Sequence, residues 1–478
     1  MTTTCGFLVL LGALATAQSA TISPSSSTAP PTAGGSDLPG LGPALSPRIT
    51  QEDVESGAFT LKELRAEGQR IFATPFNKFD GMGDGPVDAS DPTRFGGRPT
   101  IGGNGTWLRA NGLDSQSCVE CHFVLNNRDI PTTFAVGGVG GIAASAMPGL
   151  VNFDIGDADA TGIAEHDGRK INPPFLWGSG GVELLAKEMT MDLQALKAAA
   201  QLNPDVPVSL VTKGIDFGTL VYDSSSQDFD TSGVEGVDGD LVVRPFGRKG
   251  DNMSVREFDI GALQFHHGMQ PAEVFGDGVD EDGDGVADEI LSGELSALHV
   301  YSVASTRPRR IFKGTPQSLN GEQLFQIIGC AECHVPTLHT DSNTLDVAFP
   351  EVPTDPTANV YMSIQLLGGS ASFKNSNVST GVRVDLFSDL KRHDVGTSDP
   401  NGSPLANVFI TPRLWGVADT APYMHDGRAL TITEAILAHG VEGQAARDAF
   451  AALDQASQVD LLTYLDTLRA PSDPNNDL

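Results

Sequence analysis

The chain has 478 residues, enough for two or three domains, and 61 Asp+Glu against 30 Lys+Arg give a formal net charge of −31. That surplus excludes nucleic acid as a partner, because nothing in it could neutralise phosphates. It suits two roles equally: steering a basic redox partner, and solubility in a salty medium.

Phe7 to Ala17 is an apolar run ending in Ala15-Thr16-Ala17. It predicts a secretory signal peptide over residues 1–17, too short to span a membrane as a lasting anchor. The first six residues lack Lys and Arg, a departure from the usual signal, and Cys5 precedes the apolar run, which argues against a lipoprotein anchor. Residues 18–50, rich in Ser, Thr, Ala, Pro and Gly between Thr21 and Pro47, read as a disordered linker. Leu61 to Phe72 has apolar positions at helical spacing.

Cys118-Val-Glu-Cys121-His122 follows, and its counterpart is Cys330-Ala-Glu-Cys333-His334. Cysteines three apart share one side of a helical turn, so both sulfurs can reach the two vinyl groups of one porphyrin. The histidine directly after then lies under the ring and offers a nitrogen to the iron. A zinc site or a local disulfide would not require a histidine after both pairs. The spacing predicts two covalently bound haem c groups, ligated by His122 and His334. Only Cys5 is left over, so no structural disulfide is expected. Attachment of haem c occurs outside the cytoplasm, which places the protein in the periplasm or outside the cell.

Residues 123 to 245 read as loops, a helix near Val182 to Ala200, and short strands at Val208–Thr212 and Thr219–Tyr222. Asn320 to Gly329 predicts the first helix of a cytochrome c module, with Asn320 as cap and Leu324, Phe325 and Ile328 on its buried face. Leu453, Val459, Leu461, Leu462, Leu465 and Leu468 line a final helix that packs against it. The fold class is therefore mainly α. It comprises two cytochrome c-like haem domains, 51–300 and 301–470, with long loops and a few short strands in the first, and a tail at 471–478.

Between the haem motifs, Asp280, Asp282, Asp284, Gly285 and Asp288 follow an alternating-carboxylate pattern for calcium. The twelfth loop position, glutamate in an EF-hand, is Leu291, so a shorter loop is expected.

The halves echo each other weakly. Gly427-Arg428 leads to Ala435 and His439, and Gly247-Arg248 leads to Ala262 and His266. His439 is the candidate sixth ligand for the second iron, and His266 or His267 for the first. His393, Met424 and His425 are expected to contact propionates or backbone.

Thr411-Pro-Arg-Leu-Trp-Gly-Val-Ala-Asp-Thr-Ala-Pro-Tyr-Met-His-Asp-Gly-Arg428, followed by Thr433-Glu-Ala-Ile436, resembles the second haem domain of the bacterial di-haem cytochrome c peroxidase superfamily, in its di-haem oxidoreductase branch. The resemblance covers roughly residues 55 to 470. It implies a sixth ligand fourteen residues past His425, which is His439. The family has Met or Tyr there; two imidazoles imply a low-spin iron of lower potential. Gln264-Phe-His-His-Gly-Met-Gln-Pro-Ala-Glu273 looks like the segment that brings a distal glutamate over the first haem, so Glu273 is implied as proton relay. Phe246-Gly247-Arg248 stands where the family often has a tryptophan between its haems.

The resemblance implies a peroxidase that reduces hydrogen peroxide, fed by a small redox protein through the second haem. A di-haem electron carrier with two closed irons is the alternative, supported by the His266-His267 pair. An oxidase acting on a partner's aromatic side chains is a third, weakened by the missing tryptophan. Thiol oxidation, a label used in this branch, has no support, since the mature cysteines are committed to haem.

Overall fold

The computed structural model describes residues 42–83, 108–109, 117–120, 122, 150–156, 165–172, 176–311, 314–396 and 407–471. The signal segment, most of the linker, Cys121 and residues 472–478 lie outside these.

Thr60 starts the Leu61–Ala73 helix with a reciprocal cap: it accepts the Glu63 N–H while Glu63 accepts its own. Leu64, Ile71 and Phe72 enter the main core, where they meet the Ser292–Val303 helix, buried from Gly293 to Val303. At the crossing sits Gly68, where an added Cβ would stand 2.1 Å from the Ala297 carbonyl oxygen, so only glycine permits this approach. Leu45 and Ile49, at the end of the stretch read as a linker, are each 1% exposed in the same core, and Arg48 pairs with Glu294 at 2.6 Å.

The predicted middle helix runs Ser179–Leu202. Next comes an antiparallel meander of Val208–Thr212, Ile215–Asp223 and Asp228–Asp230. A separate hairpin pairs Leu150–Gly156 with Glu165–Ile171.

In the second half, the helix before Cys330 spans Pro316–Ile327. Thr315 caps it, with proline in the first turn, so it starts a turn earlier than Asn320 suggested. Asn320 is mid-helix, and its side chain donates to Asp460 at 2.8 Å. The predicted closure by the last helix, Gln455–Leu465, is present. Gly321 makes it possible: an added Cβ would lie 2.0 Å from the Asp460 carbonyl oxygen. Around the crossing, Phe325, Phe387, Phe450, Leu461, Tyr464 and Leu465 form a second core. Each such side chain stabilises the fold by about 1.5–3 kcal/mol on burial. Val459, expected on this face, is half exposed.

Strands are not confined to the first half. Thr344–Ala348 pairs with Val360–Gln365, and Val382–Val384 lies between Leu338–His339 and Lys374–Asn375. Arg392–Asp394 pairs with Val408–Ile410. Arg309–Arg310 pairs with Leu468–Arg469, joining the start of this half to its end. Both cores belong to one compact unit that begins at Pro43. Among the described residues no helix is long and apolar enough to cross a membrane.

Candidate functional site

The second Cys-x-x-Cys-His motif opens at Gly329, whose φ of +91° ends the preceding helix and starts the Cys330–Cys333 turn. Cys330 and Cys333 are thiols, not a disulfide. The His334 Nδ1 lies 3.2 Å from the Phe387 carbonyl oxygen, and the His439 Nδ1 lies 2.8 Å from that of Ala435. Each contact places the proton on Nδ1 and keeps the Nε2 lone pair for a metal. The two ring centroids are 6.3 Å apart. Two metal–nitrogen bonds of about 2 Å plus two ring half-widths of roughly 1 Å add to roughly 6 Å, so the pair fits one metal held between imidazoles. Burial and the nearby His439 push the His334 pKa down to about 4, leaving the ring in its neutral, ligating form.

Around this pair, His393 bridges Asp389 through Nε2 at 2.8 Å and Glu442 through Nδ1 at 2.7 Å. Burial opposes its charge, but these carboxylates outweigh it and raise the pKa to about 11. His425 stacks on Phe409, centroids 4.2 Å apart. Its carbonyl oxygen accepts the Asn172 N–H, while the Asn172 amide donates to Pro422 and Met424, all at 2.9 Å. The His425 and Met424 backbone thus holds a segment from the first half, which was not readable in the sequence.

At the first motif, the His122 N–H donates to the Cys118 carbonyl at 2.9 Å, closing the helical turn. The ring stands 6.3 Å from Phe72, on the Leu61–Ala73 helix. Of the two adjacent histidines, His267 is the one brought here. It is 2% exposed, lies edge-on to Phe76 at 5.3 Å, and its Nε2 is 3.8 Å from the Cys118 sulfur. A π-helical turn at Leu263–His267, ended by Gly268 at φ +64°, re-aims these side chains. His266 is half-buried. Glu273 is held by Arg256, Nη2 to Oε2 2.7 Å. Arg256 is itself buried and also donates to Ser296 and to the Ser292 carbonyl. Phe246 packs under the Arg413 guanidinium at 5.6 Å.

Two carboxylate groups complete the inventory. Asp280, Asp282 and Asp284 bring oxygens within 4.8 Å of one another. Asp288 is not among them; its Oδ1 accepts the Gly278 N–H at 2.6 Å. Burial, then Asp284, raise the Asp282 pKa to about 7, and burial with the three aspartates raises Glu289 to about 9. Elsewhere Glu183, fully buried, takes His299 and Lys187 at 2.9 Å each and the Val255 N–H at 3.0 Å. Spacing singled out neither: the Glu183–His299 pair joins residues 116 apart, and Glu289 lies outside the alternating-aspartate pattern.

Residues 260–468 match a family model described as "Di-haem oxidoreductase, putative peroxidase". Over that stretch the chain is similar to the di-haem oxidoreductase family. The stretch takes in the His266–Glu273 segment, the second haem motif and His439. The family implies haem as cofactor, and the His334–His439 spacing fits it. Two solved structures are similar over part or most of their length. A hydrazine synthase from Kuenenia stuttgartiensis is 22% identical with a TM-score of 0.24, covering 38% of this chain. The chain spans only 57% of the length of that synthase chain. A MauG-like protein associated with microbial copper homeostasis is 15% identical with a TM-score of 0.35, covering 93% of this chain and 98% of that one. No curated protein matches the sequence.

Proposed function

We propose that this di-haem oxidoreductase is an exported c-type peroxidase that reduces hydrogen peroxide with electrons from a small redox protein. The observation that carries the reading is the His334–His439 pair, spaced for one iron with both ligating nitrogens freed. Cys330 and Cys333 would hold the second haem by thioether links, and Cys118 and Cys121 the first, with His122 below it. When bound, the haems supply iron that accepts and passes single electrons. With His334 and His439 both offering Nε2 there, the second site would serve electron relay, which leaves peroxide reduction to the first site.

Peroxide reduction consumes two electrons and two protons and releases two waters. His267 is the side chain placed to handle those protons, buried beside Cys118 with its Nε2 toward the sulfur. Glu273, engaged by Arg256, is a positioning residue that fixes the turn carrying this segment. His393, charged through Asp389 and Glu442, holds the second site's wall. The acid surface, net −31, favours a basic electron donor.

The second reading is a di-haem electron carrier, in which His267 ligates the first iron permanently; the burial of that ring against Cys118 favours it. Electron paramagnetic resonance of the half-reduced protein, with a peroxide-consumption assay, separates the two. The peroxidase shows one high-spin, ligand-accessible haem and turns over. Two six-coordinate irons in every redox state without turnover select the carrier.

A further inference from the structure

We propose that Asp280, Asp282 and Asp284 bind one calcium ion together with Glu289, and that the ion locks the Met269–Glu273 segment in place. Oxygens each 2.3–2.6 Å from one calcium are at most about 5 Å apart, and the three aspartates meet that limit at 4.8 Å. A cluster of this kind is common on surfaces without an ion, so the decisive group is a fourth.

Glu289 is 1% exposed, and its Oε1 is buried without a hydrogen-bond partner. Its carboxyl borders Asp282, Asp284 and Asp280 but stands outside the set of oxygens within 4.8 Å of one another, so it joins the ion through a bound water or a small side-chain shift. Asp282 repeats the pattern at 2% exposed, with Oδ1 accepting the Asp284 N–H and Oδ2 left over. No Lys or Arg side chain among the described residues pairs with any of the four. The Arg48 guanidinium is turned to Glu294 and to the carbonyl oxygens of Asp288 and Glu289. Two buried carboxylate oxygens with no donor and no counter-charge are costly alone. A hard divalent cation that accepts six to eight oxygens removes the cost.

The same glutamate couples the loop to the first candidate haem site. Glu289 Oε2 accepts the Gln270 N–H at 2.6 Å, and Gln270 Oε1 accepts the Glu281 N–H at 3.0 Å. The Ala272 N–H donates to the Ile290 carbonyl at 2.8 Å. Gly81 packs directly on the Glu289 carboxyl, where an added Cβ would lie 2.2 Å from Cγ. Gly83, two residues on, donates to the His267 carbonyl at 3.1 Å. An ion on Glu289 therefore braces both strands of chain that hold His267. Sequence spacing nominated Asp288 for this role; its side chain instead caps Gly278.

Calorimetric titration of chelator-treated holoprotein with calcium chloride tests the site. One equivalent is expected to bind the wild type, at least tenfold more tightly than magnesium chloride. Glu289→Gln and Asp282→Asn are each expected to weaken binding tenfold or more, with an unchanged haem absorption spectrum reporting that each variant folds. Asp288→Asn, which keeps an acceptor for Gly278, is expected to bind within about threefold of wild type. Hydrogen exchange of the peptide covering residues 263–275 is expected to slow when calcium is added. Absence of binding at millimolar calcium, or undiminished binding in both Glu289→Gln and Asp282→Asn, overturns the site. Unchanged exchange at 263–275 in the calcium-bound protein overturns the coupling. None of these readouts depends on peroxide turnover.

Discussion

His334 and His439 face each other with ring centroids 6.3 Å apart, each with its Nδ1 on a backbone carbonyl. They follow the Cys330–Cys333 turn and the Ile432–Leu437 helix, which pack against the same second core and so bring the pair together. Removing one imidazole leaves the other intact. His439→Ala is expected to convert one low-spin haem to high-spin, seen by electron paramagnetic resonance of the oxidised protein. His439→Met is expected to keep it six-coordinate and to raise its potential. An unchanged spectrum in the alanine variant would strike His439 from the ligands.

His267 and Glu273 should separate in their effects. His267→Gln, which keeps much of the buried ring's volume beside Phe76, is expected to lower peroxide turnover by roughly 10²-fold, the scale of a lost proton-transfer group, at a smaller cost in stability than Glu273→Gln. Glu273→Gln leaves the buried Arg256 charge without its carboxylate and is expected to cost about 3 kcal/mol of stability. Initial rates and denaturant midpoints on both variants check this. A Glu273→Gln enzyme that is fully stable but inactive would reverse the two roles.

The Glu183 network sets the acid limit of the fold. Burial raises the Glu183 pKa, but His299, Lys187 and the Val255 N–H outweigh it and hold the carboxyl below its ordinary 4.5. A carboxylate with a depressed folded-state pKa contributes stability above the unfolded value and loses it as pH falls. Stability should therefore hold above pH 4.5 and decline progressively below it. Glu183→Gln is expected to lower stability at neutral pH by about 3–5 kcal/mol and to flatten the decline below 4.5. Urea midpoints across pH 3 to 7 measure both; an equally steep acid limb in the variant would contradict the assignment.

Two glycines carry helix crossings. Gly321→Ala sets a methyl 2.0 Å from the Asp460 carbonyl oxygen, and Gly68→Ala sets one 2.1 Å from that of Ala297. Backbone on the far side cannot rotate away, so the helices must separate. Each substitution is expected to cost about 2 kcal/mol or more, despite alanine's better helix propensity. Thermal unfolding of the variants reads the loss; a raised midpoint would mean the helices do not cross there.

The helices flanking the haem motifs were legible because their apolar residues recur at helical spacing, and the closure of the last helix on the first followed from them. The Ser292–Val303 helix was not, because it is buried on all sides and has no polar face to create a period. The second-half strands were missed for shortness: Val382 and Val384 alternate with exposed Arg383 over three residues only. The cap was misplaced: Thr315 with Pro316 starts the helix, and Asn320 lies inside it. At the sites, spacing nominated the cysteines, and the weak repeat and the family resemblance nominated His439. It could not choose between His266 and His267, because a π-helical turn decides which ring enters the core. Nor could it find Arg256 behind Glu273, or Glu289 behind the aspartates.

The proposed function requires each half of the chain to hold one porphyrin through its cysteine pair. Intact mass spectrometry of the mature protein under denaturing conditions, from a host competent in cytochrome c assembly, measures it directly. A mass two haems above that of the processed polypeptide is expected, falling by one haem in Cys330→Ala/Cys333→Ala. A mass equal to the bare polypeptide, or a single attached haem, would contradict it.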